Sequence, residues 1–113
     1  VERLPAQRDV IFVSFPYTDL TAKKVRPAIV LAQVKQDDML ICQVTSRSYA
    51  DPRAIELRPD AFDEGSLPKK SYVQTGKLFT CHPSLVTQHV GRLQTDVMTS
   101  IVEAIVRLLK EGR

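Results

Sequence analysis

The sequence contains no apolar run long enough to cross a bilayer, and its first residues, Val1-Glu2-Arg3-Leu4-Pro5, do not read as a secretory leader. A cytoplasmic location is therefore expected. Several chemistry-bearing patterns are also missing. No Gly-rich phosphate loop or dinucleotide turn is present, which removes the P-loop and Rossmann classes; no paired-carboxylate or nucleophile-elbow signature is present either. The two cysteines, Cys42 and Cys81, lack metal-type spacing, and Cys42 sits in an apolar stretch, where a cysteine is ordinarily a small buried apolar residue. Cys81, His82 and His89 lack the spacing and the fourth ligand of a zinc site. Aromatic residues make up only 6% of the chain, so few side chains are available for stacking. No internal repeat or low-complexity segment is visible.

What remains is a chain of 113 residues with ordinary globular composition, read as one domain over 1–113. Its net charge is +3, too mild to prove a polyanionic partner. The distribution is more informative. Lys23, Lys24 and Arg26 cluster in one short stretch, Arg47, Arg53 and Arg58 in another, and Lys69, Lys70 and Lys77 follow. Each cluster alone reads as a solvated surface. Several of them at the ends of adjacent strands point to an anionic ligand.

Residues 9–15 alternate apolar and β-branched positions and end at Pro16, which cannot continue a ladder; this is a predicted strand. Residues 16–26 read as a polar, basic loop. Residues 28–34 are a near-continuous apolar run, residues 36–38 a turn, and residues 39–45 a strand pairing back as a hairpin. Further short strands are predicted at 54–57, 71–75 and 88–93, with a long surface loop at 60–70 and an irregular stretch at 78–83. From Val97 to Leu109, apolar residues recur every three or four positions, which specifies a helix with one broad apolar face; Thr95 is its expected N-cap and Gly112 its expected end. Many short strands followed by one helix make a mainly β fold, a small, strongly curved antiparallel sheet or barrel.

Arg26 stands immediately before Pro27, and proline biases the preceding residue toward an extended backbone. That places a guanidinium, whose planar fork matches a phosphate, at a strand end. The alternative for Arg26 is a surface salt bridge. Thr45 and Ser46 close the partner strand and fall at the same sheet end, where hydroxyls can donate to a phosphate or a phosphorane. The alternative here is a β-forming threonine followed by a strand-end serine. His82 falls in a predicted turn and His89 in a predicted short strand, and both read as structural.

Three segments, 9–16, Arg26-Pro27-Ala28-Ile29-Val30-Leu31 and Val44-Thr45-Ser46-Arg47, together resemble the MazF/PemK family of toxin ribonucleases, over nearly the whole chain. The resemblance implies an SH3-like antiparallel barrel with a C-terminal helix, the fold shared by PemK- and CcdB-type toxins. It implies Arg26 and Thr45 as the residues of RNA cleavage, with Ser46 assisting. The implied reaction uses no metal or cofactor: the ribose 2′-hydroxyl attacks the adjacent phosphodiester and leaves a 2′,3′-cyclic phosphate. Lys23, Lys24, Arg47, Lys77 and Tyr17 are the expected RNA-binding residues, with Phe79 a further candidate for stacking. Some PemK-like members carry a histidine in the first loop and an arginine and an aspartate on a later strand. This chain has Lys23 and Lys24 in that loop, and Gln74 and Gly76 on that strand. The expected partners are single-stranded RNA, a second copy of the chain and an acidic antitoxin. A gyrase-binding toxin of the same fold, or a catalytically weakened member that only binds RNA or antitoxin, are the alternatives.

Overall fold

The computed structural model describes residues 4–16, 23–47 and 52–112, with Pro16 and Lys23 described in the backbone alone. Seven strands form one antiparallel sheet: β1 Asp9–Pro16, β2 Lys23–Gln33, β3 Met39–Thr45, β4 Ile55–Leu57, β5 Phe62–Gly65, β6 Ser71–Cys81 and β7 Val86–Leu93. A single helix, α1 Thr95–Glu111, follows. The spatial order is β4-β6-β3-β2-β1-β7-β5. Register shifts interrupt four of the pairings, β1 with β7, β2 with β3, β3 with β6 and β5 with β7. Bulges of this kind increase local twist, so the sheet curls on itself. Its edges β4 and β5 do not pair with each other, and the result is a half-barrel rather than a closed one.

Strict alternation along the central strands sorts their side chains onto two faces. Val10, Ile29, Leu31, Cys42 and Val44 point to one face and are covered by Met98, Ile101 and Ile105 of α1. Ile11, Val13, Ala28, Val30, Met39 and Ile41 point to the other and pack with Phe15, Leu85 and Val86. The near-continuous apolar reading of these strands reflects burial on both sides. Gln36, at φ 61, makes the β2–β3 turn, closed by Val34 N–H donating to the Asp38 carbonyl at 2.9 Å.

Four sequence expectations need correction. Lys23 and Lys24 lie in β2 rather than in a loop, because the ladder continues through Phe15 opposite Lys24 and Pro16 opposite Lys23. The 60–70 stretch contains a 3-10 turn, Pro59–Ala61, and the edge strand β5, which β7 recruits. Residues 78–81 are strand. The pattern breaks at 74–77 because a large bulge lies there, where the two-residue step from Cys42 to Val44 on β3 spans 73–78 on β6. Finally, the N-cap of α1 is Gln94, without a side-chain bond. The Thr95 hydroxyl instead accepts from Arg8 Nη1 at 2.8 Å, a contact made by a distant part of the chain. The expected C-terminus holds: Gly112, at φ 67, donates its N–H to the Leu108 carbonyl.

Candidate active site and nucleic-acid interface

The β2–β3 register builds the site. Ala28 pairs with Gln43 and Ile29 with Cys42; carried two residues further, this register sets Arg26 opposite Thr45. Arg26 shares its face with Ala28 and Val30, and Thr45 with Gln43 and Ile41, so both lie on the face away from α1. Pro27 is compatible with this strand and keeps Arg26 extended, opposite Val13 of β1. The β6 bulge supplies the remaining wall.

Two adjoining clefts open at this sheet end. One, of about 490 Å³, is lined by Arg26, Gln43, Thr45, Arg47, Gln74, Gly76, Lys77, Leu78 and Phe79. The other, of about 690 Å³, again includes Arg26, Thr45 and Arg47, and adds Lys24, Ser46 and Lys69. Among the described residues no carboxylate lines either cleft. Lys24, Arg26, Arg47, Lys69 and Lys77 have no acidic partner among the described residues; elsewhere Arg8, Arg53, Lys70 and Arg92 are paired, while Lys35, Arg58, Arg107 and Lys110 likewise have none but line neither cleft. Unneutralised positive charge collected along a groove attracts a polyanion.

Thr45 is 6% exposed, and its Oγ1 accepts the Arg47 N–H at 3.2 Å. That bond occupies one lone pair and leaves the hydroxyl hydrogen available to the cleft. The Arg26 Nε is buried and unpartnered, as is the Gln74 Oε1. Phe79, 40% exposed, is braced by Phe15 at a ring-centroid distance of 5.4 Å and an interplanar angle of 58°.

Of the residues singled out in the sequence, Arg26, Thr45, Ser46, Lys24, Arg47 and Lys77 are brought to these clefts. Tyr17 and the Lys23 side chain lie outside the described residues. Gln43 and Lys69 line the clefts without having been marked as site residues. Alternation alone could have flagged Gln43, a polar residue sharing a face with Ile41. The sequence marks Lys69 only as part of a basic cluster; it joins because β6 starts just beyond it and pairs Tyr72 with Thr45.

The histidines stand elsewhere, in structural settings. His82 Nδ1 accepts the Ser84 N–H at 3.1 Å and caps the 3-10 turn Pro83–Leu85. His89 Nε2 lies 3.4 Å from Oδ1 of fully buried Asp9, which also accepts from Arg92 Nε at 3.2 Å. Among the described residues no group of three or more His, Cys, Asp or Glu is arranged to hold a metal ion. Among the same residues no helix is long and apolar enough to cross a membrane.

The family described as the PemK-like, MazF-like toxin of type II toxin–antitoxin systems matches residues 6–109. No curated protein matches in sequence. Solved structures resemble the chain in fold. A MazE–MazF crystal structure from Deinococcus radiodurans superposes with a TM-score of 0.76 at 18% identity, covering 96% of this chain and 98% of that one. MazF from the same organism gives 0.74 at 20% identity, covering 96% and 99%. An endoribonuclease in complex with its cognate antitoxin from a mycobacterial species gives 0.71 at 16% identity, covering 96% of each chain.

Proposed function

This chain belongs to the PemK-like, MazF-like toxins of type II toxin–antitoxin systems, and we propose that it is an endoribonuclease that cuts single-stranded RNA at the cleft between β2, β3 and β6. The observation that carries the reading is the placement of Arg26 and Thr45 together in a groove that, among the described residues, is lined by cations and by no carboxylate. Solved relatives of the same fold are described as endoribonucleases.

The chemistry is carried largely by the RNA. Its 2′-hydroxyl oxygen attacks the adjacent phosphorus and gives its proton to solvent, the bond from phosphorus to O5′ breaks, O5′ takes a proton from solvent, and a 2′,3′-cyclic phosphate and a 5′-hydroxyl result. The protein's part is to hold the phosphate and stabilise charge on the phosphorane. Arg26 offers its fork to the non-bridging oxygens, with the Nε already stripped of water and unpaired. Thr45 donates the hydroxyl hydrogen that its bond from Arg47 leaves over. Lys24, Arg47, Lys69 and Lys77 follow the backbone on either side, and Ser46 lines only the wider cleft. Phe79 presents a braced ring on which an unstacked base can lie.

The same groove suits an acidic antitoxin segment, whose carboxylates would imitate the RNA backbone. Structures of the fold include a toxin with its cognate antitoxin. A homodimer would extend the groove across two copies of the chain.

Incubating purified protein with a long single-stranded RNA, with and without chelator, tests the reading. Discrete cuts that persist in chelator and leave cyclic-phosphate ends are expected. Intact RNA under all conditions, with a protein that still stalls gyrase, would select the alternative of a binding toxin.

A further inference from the structure

Among the described residues, two buried side-chain polar atoms at the cleft have no hydrogen-bond partner, and they are of opposite kinds: the Arg26 Nε is a donor and the Gln74 Oε1 an acceptor. Gln74 is only 4% exposed. Its backbone is fixed by the β6 bulge, where its carbonyl accepts from Cys42 Sγ at 3.0 Å. An acceptor held this way in the wall of a cleft is costly to leave unmet, so a ligand that supplies the missing donor gains by it.

A phosphodiester satisfies Arg26 but not Gln74, because its oxygens carry no hydrogen to give. The pair of orphans calls for an acceptor and a donor on one ligand. A ribonucleotide has both, the phosphate oxygens and the neighbouring 2′-hydroxyl; a deoxyribonucleotide has only the first. We propose that Gln74 Oε1 accepts a hydrogen bond from the ribose 2′-hydroxyl beside the phosphate held by Arg26, so that this cleft distinguishes ribose from deoxyribose at that sugar. The inference rests on the endoribonuclease reading above and names a residue and an atom within it. A hydroxyl hydrogen directed at Gln74 leaves an oxygen lone pair free to face phosphorus, so the same contact orients the nucleophile. A neutral amide takes no proton, and Gln74 acts here by positioning.

Two probes that contain no cleavable bond test this: a trinucleotide 3′-phosphate, deoxyribose throughout except for ribose at its 3′ sugar, and its all-deoxy counterpart. The wild-type protein is expected to bind the ribose-ended probe about fivefold more tightly, the ratio one net hydrogen bond supplies. Gln74→Leu should bind both probes equally, at the wild-type affinity for the all-deoxy probe. Losing a buried, unpaired amide to a side chain of similar volume leaves the fold intact; Gln74→Met carries the same expectation if a melt shows the leucine variant unfolded. Equal wild-type affinity for the two probes overturns the inference, as does a Gln74 variant that keeps the wild-type ratio. Cleavage of a long RNA is measured alongside. Failure of both probes to bind a protein that cuts RNA overturns this inference alone; failure of both binding and cleavage takes the endoribonuclease reading with it.

Discussion

Arg26 and Thr45 line the same two clefts, just beyond the Ala28–Gln43 pair that ends the β2–β3 ladder and on the side of the sheet that α1 leaves uncovered. The register that aligns them is set by the apolar residues behind them, since a slip of one residue in either strand would turn that strand's site residue toward the core under the helix. Their alignment is thus a by-product of core packing, and the catalytic proposal inherits the rigidity of a doubly buried hairpin.

Arg26→Ala is expected to abolish RNA cleavage without lowering the melting temperature. The guanidinium is half-buried, has no acidic partner among the described residues and carries an unsatisfied Nε. Removing it relieves a desolvation penalty rather than breaking a bond. Cleavage at the wild-type rate by a folded variant would remove Arg26 from the mechanism.

Thr45→Val should slow cleavage by about 10²-fold, the scale of one lost transition-state donor. Thr45→Ser retains both the acceptor for the Arg47 N–H and a hydroxyl hydrogen, and should stay near the wild-type rate. Ser46→Ala, exposed and lining only the wider cleft, should have the smaller effect. Single-turnover rates compare the three. A valine variant as fast as wild type would reduce Thr45 to a strand residue.

Much of this site was legible in the sequence, for identifiable reasons. The strand-turn-strand pattern of 28–45 is local, and a hairpin fixes which residues share a sheet end; Arg26 and Thr45 follow from it. The long-range features were not legible. β5 is strand only because β7 passes beside it, and Thr95 fails to cap α1 because Arg8 holds its hydroxyl. The β6 bulge has the same character. In sequence, 74–77 simply interrupt a strand, whereas in the fold they form the wall that carries Gln74 and Lys77.

Lys24 and Lys69 are expected to hold RNA without taking part in the chemistry. Both line the wider cleft, from β2 and from the segment before β6, and neither has an acidic partner among the described residues. Changing both to alanine should weaken binding and reduce the slope of log affinity against log salt by about 1.4, roughly 0.7 for each single-strand phosphate contact. An unchanged slope in a salt titration would take both lysines off the RNA path.

Cys42 is expected to resist alkylation at pH 8 until the protein unfolds. It is fully buried, its Sγ donates to the Gln74 carbonyl at 3.0 Å, and burial pushes its thiol pKa up to about 12. Since only the thiolate reacts, the folded chain offers almost none. The linkage sign follows. With the folded pKa above the unfolded value of 9.0, the neutral thiol favours the native state; this contribution is intact below about pH 9 and is lost as pH rises toward 12. Cys42→Ala should flatten that part of the stability profile. Rapid labelling of Cys42 in the native protein at pH 8 would contradict the buried setting.

The glycines make a contrasting pair. Gly91 of β7 lies against Gly65 of β5, and a Cβ on Gly91 would stand 2.5 Å from the Glu64 carbonyl oxygen. The obstacle is backbone, which cannot rotate aside, so Gly91→Ala must push the edge strand β5 away from β7. A loss of about 1–3 kcal/mol is expected, in the range of other overpacked sites. Gly76 is the control. It sits in the β6 bulge at the cleft, yet a Cβ there meets only the Leu108 Cδ2, at 3.8 Å, an ordinary contact. Gly76→Ala should therefore stay within about 0.5 kcal/mol of wild type. Urea denaturation of the two variants measures both values, and a change in midpoint without a change in slope would show that stability alone has moved. Equal midpoints for Gly91→Ala and wild type would mean that β5 yields without cost, and that the edge strand is not held where its pairing with β7 puts it.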